Sequence, residues 1–473
     1  MHNTPAPPAD LLRKYNTQVP RYTTYPTAPQ FRNDFNGHDF ERHSVLSNSS
    51  LLPKDLSICV HVPFCHLIGD FNGSNKIMTR ADTRKLDNYL ERLLSEIAMR
   101  GKLFSDDRLV THIHFSDAIA NTLNAEQLAS ILDQIALQFH LDLPSNLEIS
   151  IELDPLHTSP LEVKRLAESG INRFIIGVQS FSEKLSKADN REPDEEHTLA
   201  VIKSAMHLAK SVNVELITGS PLQNLTNCDE MLSRIINTGV TRVTAYDLAD
   251  LPKRIGVPQM IDATAPTDTK IRHALSSLVR SKLLDASYTH IGMDYYALPS
   301  DSISQAQKRG ELRRNFQGYT THRDNDLIGV GACAISKLDT AFSQNESSLS
   351  RYSELIDDNR LPIAKGVELS HDDQIRADVI QQIMCRGGVD LSTKLGQFTE
   401  SNNTMPLFEY LKRELLDLKS FEQDGLVLFN GQGFEVTETG RYFMRSISAV
   451  FDCYLNPIFN KHVLPFTRKL ERP

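Results

Sequence analysis

Six runs that read as β-strands recur from about residue 56 onward, separated by stretches of helical periodicity. No other feature of the chain constrains its fold as strongly. The strand-like runs are residues 57–62, 110–115, 148–153, 173–179, 212–217 and 242–246. Helical stretches fall between them at 83–100, 125–139, 160–168 and 196–209. In the first, Leu86, Leu90, Leu93, Leu94 and Ile97 keep the spacing of a helix that lays one face on a sheet. Six strand–helix repeats predict an α/β fold built on a parallel β/α barrel or part of one. In such folds the chemistry gathers at the C-terminal ends of the strands. The stretches at Cys65 and Ser116 both follow a strand directly.

With 473 residues the chain is too long for one compact core, and more than one domain is expected. Residues 1–50 are expected to pack on the barrel as an N-terminal extension, with the barrel itself spanning 51–364. After about residue 365 the strand–helix rhythm stops. Ser370 is placed to cap a helix that continues through Met384, and a second helix fits 406–418. A hairpin then fits 425–435, turning at Gly431 to Gly433, before a last helix at 437–459. Helices with one small hairpin predict a winged-helix-like accessory domain over 365–473. A net charge of −9 argues against nucleic-acid binding as the main role. No apolar run reaches the ~18 residues of a membrane span, and Met1-His2-Asn3-Thr4-Pro5 has no secretion-signal core. Six cysteines (Cys59, Cys65, Cys228, Cys333, Cys385, Cys453) show no pairing rhythm. They predict a reducing cytoplasm and mostly buried, inert thiols.

Several ordered motifs carry a resemblance. Arg21-Tyr22-Thr23-Thr24-Tyr25-Pro26-Thr27-Ala28 lies near the start and Val60-His61-Val62-Pro63-Phe64-Cys65 follows. Ile151-Glu152-Leu153-Asp154-Pro155, Gly177-Val178-Gln179-Ser180-Phe181 and Ile291-Gly292-Met293-Asp294 come next. Asn315-Phe316-Gln317-Gly318-Tyr319-Thr320-Thr321 precedes Asp326-Leu327-Ile328-Gly329-Val330-Gly331. From about Lys14 to about Tyr454 the chain resembles the oxygen-independent coproporphyrinogen III oxidases, radical S-adenosylmethionine enzymes of haem biosynthesis. The resemblance implies the open, partial barrel of that superfamily, a [4Fe–4S] cluster and S-adenosylmethionine. It also implies oxidative decarboxylation of two propionates of coproporphyrinogen III to vinyls.

Two parts of the implied cofactor site depart from the family. A cluster that leaves one iron open for S-adenosylmethionine takes three thiolates at C-x3-C-x2-C spacing. Here those positions read Cys65, Gly69 and Asn72, and a further family cysteine falls at Ser74. Glycine offers no ligand, and asparagine and serine are poor substitutes for thiolate on a soft iron–sulfur centre. His66 and Asp70 flank Cys65, but C-H-x3-D is no recognised metal spacing, and a lone thiol is the expected state of Cys65. The second departure begins at Ser116, where the family carries Gly-Gly-Gly-Thr-Pro. Glycines there let backbone approach the aminoacyl end of the cofactor. Asp117 instead brings a negative charge toward its carboxylate.

Other positions carry over by resemblance as lining of the cofactor pocket: Cys59 (tyrosine in the family), Phe71, Glu152, Gln179, Arg191, Glu215 (aspartate in the family), Ala249 and Ile335. Each also suits an ordinary structural role as a salt-bridge or core residue. Arg13, Arg21, Arg313 and Arg314 are candidate partners for the carboxylates of a large flat ligand, with tyrosines against its ring faces. The reading that follows is a degenerate relative without radical chemistry, expected to bind a porphyrin or coproporphyrinogen and to act in binding or regulation. A surviving enzyme with unconventional cluster ligands is the alternative. A third reading is an interaction module that pairs with a true oxidase or another haem-biosynthesis protein.

Overall fold

The computed structural model describes residues 7–15, 19–50, 54–65, 77–78, 83–116, 122–178, 195–220, 223–247, 269–322, 325–392, 399–400, 403–404 and 406–455. Two helices, α1 (Ala9–Tyr15) and α2 (Gly37–Asn48), precede the first strand. The strands β1 (Leu56–Val60), β2 (Leu109–Phe115), β3 (Glu148–Leu153), β4 (Arg173–Val178), β5 (Ser211–Thr218) and β6 (Arg242–Asp247) match the six expected runs within two residues at each end. Helices α3 (Thr83–Gly101), α4 (Ala125–Gln138), α5 (Pro160–Glu168), α6 (Glu195–Leu208), α7 (Leu225–Ile236) and α8 (Thr269–Asp285) alternate with them. Their starts are written in the sequence. Asn124 with Gln127, Ser159 with Glu162, and Asn224 with Asn227 each form a reciprocal capping box. Leu86, Leu90, Leu93 and Ile97 of α3 are all buried, as their spacing requires.

β1 to β6 pair in parallel, each with its neighbour in sequence. One strand escaped the rhythm. Beyond antiparallel β7 (Thr289–Gly292) and β8 (Tyr295–Ala297), which extend the β6 edge, β9 (Asp326–Val330) adds in parallel on the other side of β1. Antiparallel β10 (Ile335–Leu338), β11 (Ala341–Asn345) and β12 (Ile363–Glu368) continue from there. The sheet runs from β7 at one edge to β12 at the other, and no pairing between those edges is found among the described residues. It is an open, partial barrel, as expected.

The two faces of the sheet differ in chemistry. Ile58, Val60, Ile113, Phe115, Ile149, Ile151, Phe174, Ile176, Val212 and Val214 are buried in the main core. The residues between them, Cys59, His114, Ser150, Ile175 and Asn213, face the concave side and are polar except at Ile175 and Cys59. Parallel sheets covered on both faces read as continuous apolar runs. The strict alternation in His112-Ile113-His114 and Glu148-Ile149-Ser150-Ile151-Glu152 therefore marks a sheet with one wet face.

A second core joins three parts of the chain. It contains Tyr15, Val19, Tyr22 and Tyr25 from the N-terminus, Ile291, Tyr295, Leu312 and Tyr319 from the barrel side, and Ile375 through Phe451 from the C-terminal part. Ser370 caps α9 (His371–Arg386), in agreement with the sequence reading. The hairpin is present as strands Val427–Asn430 and Gly433–Val436, with Gly388–Asp390 as a third strand. The expected helix over 406–418 is broken into Leu407–Tyr410 and Lys412–Asp417, followed by Lys419–Gln423. Bends at Leu411 and Leu418 let Leu407, Leu411, Leu415, Leu418 and Phe421 all reach the second core. The expected helix over 437–459 is also shorter, a turn at Gly440–Phe443 and a helix at Met444–Ala449. It stops because Asp452 accepts from the Tyr454 backbone N–H at 2.9 Å and the Tyr22 hydroxyl at 3.0 Å.

Candidate functional site

The concave face opens into a cavity of about 850 Å³. It is walled by alternate residues of β1 to β6 and by the segment around Arg314 to Thr321. Of the expected cofactor-pocket residues, Cys59, Glu152, Glu215 and Ile335 line it, and Ser116 stands at its rim. Cys59 and His61 share the wall at period two, as the sequence indicated. Cys65 ends the short strand Phe64–Cys65, which pairs in parallel with Ile77–Met78. Gly69, Asn72, His66, Asp70, Phe71, Ser74, Asp117, Gln179, Arg191 and Ala249 lie outside the described residues. None of Cys59, Cys228, Cys333, Cys385 and Cys453 is in a disulfide, and the expectation of mostly buried thiols needs correction. Cys228 and Cys385 are buried, whereas Cys59, Cys333 and Cys453 are partly exposed. The reason is local. Cys59 and Cys333 line the cavity, while burial pushes the Cys228 thiol up to about 11.

Polar groups on the wall form a ladder across β2 and β3. His112 Nε2 and His114 Nδ1 both lie on Ser150 Oγ, at 3.1 and 2.8 Å, and His114 Nε2 lies 3.3 Å from Glu152 Oε1. Across the cavity, the Tyr246 hydroxyl donates to Glu215 Oε1 at 3.1 Å and lies 3.0 Å from the Tyr295 hydroxyl. Burial first, and the Glu152 carboxylate second, push the Glu215 carboxyl up to about 8. Glu215 thus holds a proton at neutral pH and can donate a hydrogen bond, where an ordinary glutamate only accepts.

The arginine candidates divide. Arg21 and Arg314 line the cavity. Arg21 pairs with Asp294 and stacks 5.0 Å over the Tyr246 ring, and its Nη1 is buried without a hydrogen-bond partner. Arg314 is 4% exposed and lies over the Tyr319 and Tyr295 rings at 4.8 and 5.8 Å, and both its Nε and Nη1 lack partners. Gly318 makes that stack fit. Its φ is +106°, and a Cβ there would stand 2.2 Å from the Tyr295 hydroxyl. Arg13 is exposed on α1, and Arg313 does not reach the cavity and donates to the Leu312 carbonyl at 3.1 Å. Both are corrected as ligand contacts. Strand alternation turns Arg313 away while it turns Arg314 inward.

Sequence reasoning missed His112, His114, Arg173, Arg242, Tyr246 and Tyr295, all on the cavity wall. The polar–apolar alternation of their strands was the available signal.

A family model described as the Radical SAM superfamily matches residues 63–244. Oxygen-independent coproporphyrinogen III oxidase from Salmonella typhimurium is 36% identical over 448 residues, covering 94% of this chain and 95% of that protein. The corresponding protein from Synechocystis is 36% identical over 457 residues, again covering 94% and 95%. The chain belongs to the oxygen-independent coproporphyrinogen III oxidase family. The solved structure of coproporphyrinogen III oxidase from Escherichia coli, described as a radical SAM enzyme, superposes with a TM-score of 0.83 at 32% identity. It covers 93% of this chain and all of that one. Family members are oxidoreductases of haem biosynthesis, with S-adenosylmethionine and a [4Fe–4S] cluster as the family's cofactors. In this oxidase-family chain no helix of the described residues is long and apolar enough to cross a membrane.

Proposed function

We propose that this chain keeps a tetrapyrrole-sized cavity but not the radical chemistry of its family, and that it acts in porphyrin binding or regulation. The observation that carries the first half is the set of buried, unpartnered guanidinium N–H groups on Arg21 and Arg314 at the cavity wall. A buried donor without a partner is costly unless a ligand supplies the acceptor. Carboxylates are the natural acceptors for arginine, and flat rings suit the tyrosines beside them. A volume of about 850 Å³ lies within the roughly 300–1,000 Å³ of ligand sites. In this reading Arg314 and Arg21 take propionate carboxylates, Tyr295 and Tyr319 border the macrocycle, and protonated Glu215 donates to an acceptor on the ligand.

The second half rests on the donor set. One thiolate at Cys65, with Gly69 and Asn72 in the other two positions, does not fit a three-thiolate cluster. No electron source for cleaving S-adenosylmethionine then exists in the chain, and no radical step is assigned to it. Glu152 remains for an S-adenosylmethionine contact, while Asp117, by its sequence position in place of a family glycine, adds a negative charge next to Ser116. Cysteines outside any disulfide at Cys59, Cys228, Cys333, Cys385 and Cys453 fit a cytoplasmic location.

The test is anaerobic iron–sulfur reconstitution of the purified chain, followed by iron and sulfide assay, then titration with coproporphyrin. Iron and sulfide at background, with saturable porphyrin binding, is the expected result. About four irons per chain with matching sulfide would overturn the loss of the cluster and favour an active oxidase with unconventional ligands. Absence of porphyrin binding would leave a docking role beside a true oxidase, read by pull-down.

A further inference from the structure

At the start of β3, where His112 and Glu148 line the wall of the cavity, stands a second group of potential ligands. His112, Glu148 and His322 each offer a ligand atom, and the three atoms lie within 4.8 Å of one another. His112 on β2 and Glu148 on β3 are register partners, and His322 stands on the segment leading into β9. All three are largely enclosed, with side chains 6%, 17% and 14% exposed. His112 Nδ1 is buried without a hydrogen-bond partner.

We propose that these residues hold a borderline divalent transition-metal ion such as zinc(II). Two imidazoles and a carboxylate are the donor set such ions take. Glu148 faces both rings: Oε1 lies 3.8 Å from His112 Nε2, and Oε2 lies 3.3 Å from His322 Nε2. Around a tetrahedral ion with bonds of about 2.0–2.1 Å, neighbouring ligand atoms stand roughly 3.3–3.5 Å apart. The rings are stacked, with centroids 4.6 Å apart and planes at 5°, so both Nε2 atoms meet the carboxylate from one side and a small tilt converges them. Supporting contacts of the kind that orient metal ligands are present. Thr111 Oγ1 lies 3.5 Å from His322 Nδ1, which leaves that ring's Nε2 for the ion, and Arg173 Nε lies 2.5 Å from Glu148 Oε2; the ion displaces the contact of Ser150 Oγ, 3.1 Å from His112 Nε2. Arg173 already opposes the carboxylate's charge, which places the affinity below that of closed all-thiolate sites. The bound ion clips the start of β9 to β2 and β3 across β1, and its role is to hold the base of the open sheet.

Full-length protein carrying C59S and C65S, stripped with chelator, is titrated with zinc(II) and cobalt(II). A single ion per chain should survive gel filtration. The cobalt(II) spectrum should lack a thiolate charge-transfer band, and zinc(II) should raise the melting temperature. H322Q changes a residue outside the strands and should fold. It should weaken binding by more than about tenfold and abolish the rise in melting temperature. No retained ion, a thiolate band, or equal retention by a folded H322Q each overturns the proposal.

Discussion

The carboxyl group of Glu215 sits between a phenol that donates to it and a second carboxylate that repels its charge. Its folded pKa of about 8 stands above the ordinary value of 4.5. Between those two pH values the unfolded chain has released the proton and the folded chain retains it, so stability falls as pH rises through the window and levels off above it. Glu215→Gln removes the charge and keeps the shape. The variant should be more stable than wild type above pH 8, by on the order of a few kcal/mol, with the difference vanishing below the ordinary glutamate range. Urea unfolding across pH checks this, and parallel pH profiles would count against it. Arg314 makes a complementary case. Arg314→Met removes two unpartnered buried donors, so the fold should lose little or gain stability. Binding of a carboxylate-bearing porphyrin should weaken by roughly tenfold or more, since a charge-assisted hydrogen bond contributes about 1.5–3 kcal/mol. A spectroscopic titration beside a thermal melt separates the two effects.

At the scale of elements, α3 shows how a helix legible in sequence acquires a second task in the fold. Its apolar stripe packs on the sheet, but Glu96 and Arg100 are also fully buried and pair at 3.1 Å. Glu96 further accepts from the Gly331 backbone N–H, the Tyr352 hydroxyl and the Asn345 side chain, each at 2.8 Å. Tyr89 from the same helix donates to the His61 carbonyl and accepts from the Ala332 N–H, both at 2.9 Å. The helix therefore ties the end of β1 to the turn after β9, beside the cavity. Gly331 is needed there: its φ is +99°, and a Cβ would stand 2.0 Å from the His61 carbonyl oxygen. Glu96→Leu should destabilise the chain by about 3–5 kcal/mol, because it leaves the Arg100 charge buried and uncompensated. Denaturant unfolding reads that loss. A charged pair at i, i+4 on a helix looks like a solvated surface pair in sequence, and only packing from β11 and the β9 turn reveals it as interior.

Across the whole molecule, the second core decides which parts of the chain depend on one another. Tyr15, Tyr22 and Tyr25 pack with Phe421, Phe443 and Phe451, and Tyr295 and Tyr319 of the cavity wall share that cluster. The Tyr319 hydroxyl donates to the Met384 carbonyl of α9 at 2.8 Å. A chain ending at residue 364 would expose that apolar surface and release Arg314, whose backbone is held by Gln381 at 2.6 and 3.1 Å. Such a truncation should aggregate or lose porphyrin binding; size-exclusion chromatography with a binding titration checks it, and a monodisperse, binding-competent product would show the two parts to be independent.

Periodicity in the sequence by itself determined the parallel strands β1 to β6 and the helices α3 to α6 over them, whereas α7 and α8 were not read from it. Those signals are local, set within a turn of helix or a pair of strand positions. Tertiary structure alone decided that β9 joins the sheet beyond β1, and that Arg21 and Arg314 reach the cavity while Arg13 and Arg313 do not. It also brought His322 to His112 and Glu148 and shifted Glu215 toward neutrality. Each of those outcomes depends on groups far apart in the chain becoming neighbours in a region of low dielectric, and pairing, desolvation and charge repulsion at such distances leave no mark on local sequence pattern.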